Sequence, residues 1–250
     1  MIPEIDIGPI QLQTFGIMLA LALISCGLLA SRRLRELGKP GDWAYEMVLS
    51  AGIGGIAGAK IDWIIQNPGQ AFDRGLIDIL IGPGLVFFGG LLGGALAVCV
   101  WAYRRGFLGW ALLDLGAPGI ALGYALGRIG CQLSGDGDYG VPTDLPWAMS
   151  YPDGTVPTDE LVHPTPVYET LVMGLVTVVL WNLRDRFAPG VLFGLYLVIA
   201  GVERFLIEFI RRNDSVLAGL TIAQVISVVM VVGGSALIAW RVRAGRVVAV

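Results

Sequence analysis

Charge is scarce in this chain. Asp, Glu, Lys and Arg make up only 15% of its 250 residues, hydrophobic residues make up 55%, and the mean hydropathy is +0.73. Soluble domains carry roughly 25% charged residues, so the composition excludes an ordinary soluble fold and makes the bilayer the solvent. Cysteine is sparse too. Cys26, Cys99 and Cys131 lie within or at the end of apolar runs, at spacings that suit no metal, and read as small buried hydrophobes. No basic patch of the nucleic-acid-binding type exists: 17 basic and 20 acidic residues leave a net charge of -3, with the signs segregated along the chain. No basic residue precedes the first apolar stretch, where Glu4 and Asp6 stand instead. That is the wrong flank for a cleaved signal peptide, so the first span is expected to remain.

What the chain has in abundance is apolar length. About 20 apolar residues are needed to cross a bilayer, and seven runs qualify: 11–31, 43–65, 83–103, 110–132, 165–183, 190–210 and 219–240. They predict an all-α polytopic membrane protein, a single integral membrane domain over residues 1–250 with seven transmembrane helices. Basic residues cluster at alternate ends: Arg32, Arg33, Arg35 and Lys39, then Arg104 and Arg105, then Arg184 and Arg186, then Arg241, Arg243 and Arg246. The opposite ends hold only Arg74, Arg211 and Arg212. Because basic loops stay cytoplasmic, the amino terminus is expected outside and the carboxyl terminus inside.

The longest polar segment, 134–164, carries Asp136, Asp138, Asp144, Asp153, Asp159 and Glu160 and no Lys or Arg. With Pro142, Pro146, Pro152, Gly154 and Pro157 it predicts a small extracytoplasmic head or lid of turns and short strands between helices 4 and 5. Glycine clusters at Gly52, Gly54, Gly55 and Gly58 and at Gly89, Gly90, Gly93 and Gly94. At those spacings, small residues let helix backbones approach closely in lipid. A nucleotide-binding reading fails, because neither cluster follows a strand.

Ionisable residues within the spans are the functional signal, since each is costly there unless it is paired or faces a cavity. Lys60, Arg128 and Arg204 are such residues, with Asp62, Glu203 and Glu208 close by in sequence. Given the expected helix directions and about 1.5 Å of rise per residue, Lys60, Asp62, Arg128, Gln132, Arg204 and Glu208 all fall toward the outer side. There they meet His163, Tyr168 and Glu169 at the start of span five, while Asp114 alone lies near the inner end of span four. A pump strings such groups across the whole thickness and a transporter centres them at the midplane; a one-sided cluster suits a lipid headgroup, its phosphate held by Arg128 and Arg204. Plainer readings stand beside this one. Arg204 and Glu208 can form a structural i,i+4 pair, Arg128 and Lys60 can snorkel, and His163 can cap a helix. Asp136 and Asp138 can form a simple turn, the string being too short for a calcium site.

Several strings together resemble one family. They are Phe88 to Ala95, Asp114 to Gly119, Gly127-Arg128-Ile129-Gly130, Gly135 to Gly140, His163 to Thr170 and Glu203 to Ile210. In this order and spacing the chain is similar to the bacterial prolipoprotein diacylglyceryl transferases, over nearly its whole length from Gly8-Pro9 onward. The resemblance implies a seven-helix protein of the bacterial inner membrane, with its amino terminus outside. The implied reaction moves the diacylglyceryl group of phosphatidylglycerol to the lipobox cysteine of a prolipoprotein signal peptide and releases glycerol-1-phosphate, without metal or other cofactor. Position by position, Arg128, Arg204, Glu208 and Asp136 match residues of the family's site. Three positions depart: Phe88 stands where the family has a histidine, Phe15 where it has a tyrosine, and Cys131 where it has an asparagine.

The implied chemistry needs a base for a thiol of pKa about 8.5 and donors for a departing phosphate. With Phe88 in the histidine's place, the sole histidine, His163, is the expected base, with Asp136 or Asp138 behind it. Glu208 is expected to orient Arg204, and Tyr168 and Glu169 to line the entrance. Asp138, Gln132, Gly89, Gly90 and Lys60 complete the expected substrate contacts. Two alternatives remain open at this point: a noncatalytic phospholipid-binding membrane protein, and a transferase of the same lipid moiety to another acceptor.

Overall fold

A computed structural model describes residues 1–8, 10–73, 84, 86–216 and 219–248. Pro9, Arg74 and the opening residue of the third expected span, Pro83, lie outside the described residues. The helices are α1 (Thr14–Glu36), α2 (Trp43–Gln66), the short α3 (Pro68–Asp73), α4 (Phe87–Arg104), α5 (Trp110–Ser134), α6 (Thr165–Leu183), α7 (Val191–Ile207) and α8 (Ile222–Val248). A turn of 3₁₀ helix, Glu208–Ile210, continues α7. Strands β1 (Glu4–Ile7) and β2 (Ile10–Gln13) pair antiparallel ahead of α1, and β3 (Met149–Tyr151) and β4 (Thr158–Val162) pair antiparallel between α5 and α6.

Among the described residues, five helices are long and apolar enough to cross a membrane: α1, α2, α5, α6 and α8. Their exposed faces carry leucine and valine, as at Leu49, Leu171, Leu175, Val229 and Val232. That inverts a water-soluble surface, where contiguous apolar patches are small. α4 and α7 are shorter, at 18 and 17 residues. The first span was expected from residue 11, but residues 10–13 belong to β2, paired through Gln11 and Gln13 with Asp6 and Glu4. Cys99, expected to be buried, is exposed, whereas Cys131 is buried.

The chain divides into two units, Gly27–Leu112 and Met1–Cys26 with Leu113–Val250. In the first, α2 crosses α4 at backbone contact. A Cβ on Gly58 would lie 2.2 Å from the Gly89 carbonyl oxygen, and one on Gly54 2.6 Å from that of Gly93. The glycine spacing read from the sequence therefore serves this crossing, and it accounts for Gly89 and Gly90, expected as substrate contacts. Asp62 accepts a hydrogen bond from the Gly89 amide at 3.0 Å, satisfying an orphan donor in the first turn of α4. At the other end of the crossing, Glu46 takes hydrogen bonds from Trp101 Nε1 at 2.8 Å and Arg105 Nη2 at 2.6 Å. Lys60 is 7% exposed, which removes the snorkelling reading.

In the second unit, three helices share an apolar core. Ala117, Ala121 and Ala125 of α5 pack with Met173, Val176 and Leu180 of α6 and with Leu192, Tyr196 and Ala200 of α7. Each set follows the three-to-four-residue spacing of one helix face, and its small residues bring the backbones close. At one end Asp114 of α5 accepts the amides of Gly190 at 2.7 Å and Phe193 at 2.9 Å, capping the start of α7 from a neighbouring helix. α8 packs along α7 through Gly194 and Gly234, whose carbonyl oxygens face each other's Cα at distances that leave no room for a Cβ.

Candidate functional site

Each apolar stripe of the second unit ends in charge. One helical step beyond Ala125 on the same face stands Arg128; one step before Met173 stands Glu169; one step beyond Ala200 stands Arg204. The packing that aligns the stripes brings these side chains together. Glu169 is 0% exposed, and Arg128 Nε lies 3.2 Å from its Oε2 and Arg204 Nη1 3.5 Å from its Oε1. A third guanidinium, Arg211 just past the 3₁₀ turn, reaches the same carboxylate at 3.7 Å. Tyr124, one turn before Arg128, donates its hydroxyl to Glu169 Oε1 at 2.5 Å, and the Arg128 guanidinium lies 5.1 Å from its ring centre.

Around this hub the other acids are shared out. Glu208 pairs with Arg204 at 2.8 Å, the orienting contact expected from the sequence, and its second oxygen takes Asn213 Nδ2 at 2.7 Å. Asp138 bridges Arg128 and Arg211. Burial raises the Asp138 proton affinity, but the two guanidinium charges outweigh burial and hold its carboxyl below the ordinary range. Asp136 is half-buried; desolvation, with the neighbouring Asp138 charge, pushes it up, only partly offset by its contact with the Cys131 thiol and by Arg128. The two aspartates reach their places because Gly135 and Gly137 both take positive φ, 60° and 93°. Only glycine adopts that conformation without strain.

The hairpin of β3 and β4 closes over this turn. Val156 N bonds Gly135 O at 2.9 Å, and Tyr139 and Tyr151 stack at 4.8 Å. Tyr151, its hydroxyl pushed up to about 12 chiefly by burial, donates to Gln132 Oε1 at 2.9 Å. Gln132 thus supports the hairpin, its amide nitrogen resting on Met149 Sδ at 3.5 Å. Gly140 threads between the site's two flanks: its amide bonds His163 O at 2.8 Å, and a Cβ there would sit 2.4 Å from Ile210 O.

His163 does not meet the aspartates proposed to back it. Its Nδ1 lies 3.4 Å from the Tyr168 hydroxyl, which also receives Trp147 Nε1 at 2.7 Å. Tyr168 in turn lines an apolar groove of about 480 Å³ between α6 and α7, walled by Val172, Val198, Ile199, Val202, Leu206 and Ile210 and by one acid, Glu203. Sequence reasoning placed Arg128, Arg204, Glu208, Asp138 and Glu169 near one another, and the structure brings them into contact. It missed Tyr124, Arg211 and Asn213, although Arg204, Glu208 and Arg211 follow i, i+4, i+7. Lys60, Gly89 and Gly90 belong to the other unit.

Among the described residues one group places metal-ligand atoms within 4.8 Å of one another: Cys131, Asp136 and Asp138. Asp138 already neutralises two guanidiniums, and Arg128 Nη1 donates to Cys131 Sγ at 3.8 Å. Those cations oppose a metal ion at the same point.

Residues 4–240 match the family model for prolipoprotein diacylglyceryl transferase. The chain belongs to this family. Relatives named phosphatidylglycerol-prolipoprotein diacylglyceryl transferase include one from Vibrio vulnificus, 33% identical over 98% of this chain and 94% of the relative. The Azotobacter vinelandii relative is 31% identical over 96% of each chain, and that of Clostridium tetani 32% identical over 82% of each. Family and apolar helices together make this a multi-pass membrane protein. Of the three positions expected to depart from the family strings, Cys131 borders the arginine cluster and Phe15 packs against Gly130. Phe88, 51% exposed, begins the glycine string of α4 in the other unit.

Proposed function

We propose that this protein transfers the diacylglyceryl group of phosphatidylglycerol to the lipobox cysteine thiol of prolipoproteins at the outer leaflet of the bacterial inner membrane, releasing glycerol-1-phosphate. The observation that carries the reading is the convergence of Arg128, Arg204 and Arg211 on one buried carboxylate beside an apolar groove. Guanidinium groups grip a phosphate in pairs, and the groove suits an acyl chain. The three cations face Glu169, Asp138 and Glu208, so the resting cluster is near neutral. One donor is left over, however: Arg211 binds Asp138 through Nη2, but its buried Nη1, 3.7 Å from Glu169, has no hydrogen-bond partner among the described residues. A phosphate oxygen supplies what that donor lacks.

In this reading Arg128 and Arg204 bear the charge that develops on the leaving phosphate, Glu208 holds Arg204, and the turn of Asp136 and Asp138 sets Arg128. His163 takes the proton of the acceptor thiol, Tyr168 forms the inner wall of the entrance, and Glu169 holds the three arginines together beneath it. The signal peptide arrives laterally from the bilayer. In this reading the chain crosses seven times, and the lengths of the two shorter helices support it: α4 is about 27 Å long, and α7 with its 3₁₀ turn about 31 Å at standard rises, close to the hydrocarbon thickness. The basic residues then place the amino terminus outside and the hairpin of β3 and β4 over the outer ends of α5 and α6.

The test supplies purified protein with phosphatidylglycerol and a lipobox peptide and follows thioether and glycerol-1-phosphate. Both products are expected, with a loss of about 100-fold in His163→Gln, the usual size of a lost general base. Lipid binding without product overturns the enzyme in favour of a binding protein. Glycerol-1-phosphate released only with a different acceptor moves the reaction to that acceptor.

A further inference from the structure

The carboxylates around the arginines are not equivalent. Glu169, Asp138 and Glu208 each touch at least two guanidiniums. Guanidinium charge therefore balances each of them, even though Glu169 Oε2 and Glu208 Oε2 make no hydrogen bond among the described residues. Glu203 differs. It lines the apolar groove with Tyr168, Val172, Val198, Val202 and Leu206, and its buried Oε1 has no hydrogen-bond partner among the described residues. No ion pair to it is present among them either. Burying a charge in such a wall costs far more than burying a neutral carboxyl, so the side chain meets the substrate carrying its proton.

We propose that Glu203 donates a proton to the departing glycerol phosphate. This rests on the transferase reading and completes its proton bookkeeping. Glu203 directly precedes Arg204, the residue assigned to the phosphate, and it lies within electrostatic range of Glu169, Arg204, Arg128 and Arg211. The acceptor S–H bond breaks and its proton passes to His163. The sulfur electron pair forms the C–S bond while the glyceryl C–O bond breaks, its pair leaving on the phosphate oxygen. That oxygen takes the Glu203 proton, so the product departs as a monoanion rather than a dianion. Solvent returns the proton from His163 to Glu203 between turnovers. Thiol and phosphatidylglycerol thus become thioether and singly protonated glycerol-1-phosphate, with nothing left over. Tyr168 stands between the two groups, its ring in the groove wall with Glu203 and its hydroxyl 3.4 Å from His163 Nδ1.

Glu203→Gln keeps the shape and removes the donor. With phosphatidylglycerol, kcat is expected to fall about 100-fold with binding retained, and the alkaline limb of the kcat profile to disappear, as for loss of a general acid. The groups facing Glu203 that also shape this profile are Tyr124 and Arg128 from α5, Glu169 from α6, Tyr196 and Arg204 on α7 itself, and Arg211. A second substrate separates them: diacylglyceryl sulfate carries the same single charge, and breaking its glyceryl C–O bond expels sulfate, which needs no proton near neutral pH, so the variant should approach the unsubstituted rate on it. Glu203→Asp should restore part of the turnover on phosphatidylglycerol and carries the same two-substrate comparison should the glutamine variant fail to accumulate. An unchanged rate and pH profile in Glu203→Gln, or equal losses on both substrates, overturns the proposal while leaving the transferase reading intact. No thioether from the unsubstituted chain removes both.

Discussion

At the scale of single residues, Glu169 decides whether the cluster holds. It has no exposed surface, and three guanidiniums and a tyrosine hydroxyl depend on it. Replacing one member of a buried ionic network leaves the others unbalanced, which costs about 3–5 kcal/mol. Glu169→Gln should therefore lower the thermal midpoint sharply in detergent. Glu160→Gln should scarcely move it, because Glu160 pairs with Arg212 at an exposed contact worth at most about 1 kcal/mol. Equal shifts in the two variants would show that the hub is not structural. The sequence grouped Glu169 with the other ionisable residues, from its position at the start of an apolar run. Depth says nothing about which face of a helix a residue occupies, so an entrance role was expected where the structure has the centre. Arg211 escaped for a related reason: beyond a span end, an arginine reads as interfacial, and only its seven-residue separation from Arg204 hinted that it turns back.

At the scale of elements, the crossing of α2 on α4 rests on missing side chains. A methyl group on Gly58 would enter the space of Gly89 O and Gly93 Cα, both backbone atoms that cannot swing away. Gly58→Ala should destabilise by about 1–3 kcal/mol, the range for overpacking. Gly52→Ala on the same helix meets nothing within 4 Å and should be neutral or gain up to about 1 kcal/mol in helix propensity. Paired thermal scans distinguish the two, and similar behaviour would refute the close crossing. This contact was legible because small residues at helical spacing have one physical use in lipid. The strands before α1 were not. Ile5, Ile7, Ile10 and Leu12 alternate with polar residues over only two short segments, and a window long enough to find a span absorbs them into its start.

For the whole molecule, the two aspartates of the turn after α5 act in opposite senses as pH changes. Asp138 is held below its ordinary value, so its contribution is present above the unfolded carboxylate range and is lost as pH falls through the folded value. Asp136 is raised, so folding weakens as pH climbs from the unfolded value through the folded one. Thermal midpoints followed from acid to neutral pH should show Asp138→Asn below the unsubstituted protein at neutral pH and converging with it in acid. Asp136→Asn should lie above it at neutral pH; the reverse order would contradict both assignments. The helical class and most boundaries could be read from apolar length, whereas the shortness of α4 and α7 could not, because hydropathy does not mark where a helix gives way to other backbone. One legible residue carried more than its residue type suggested. Asp114 ties the start of α7 to α5. Fourteen residues lead from Asp114 to Arg128, and fourteen from Gly190 to Arg204. The helices leave a common datum and count off equal lengths, so their arginines arrive level. Inserting one residue on either path rotates its arginine by about 100° and lifts it about 1.5 Å, which makes spacing here more stringent than the identity of the residues between.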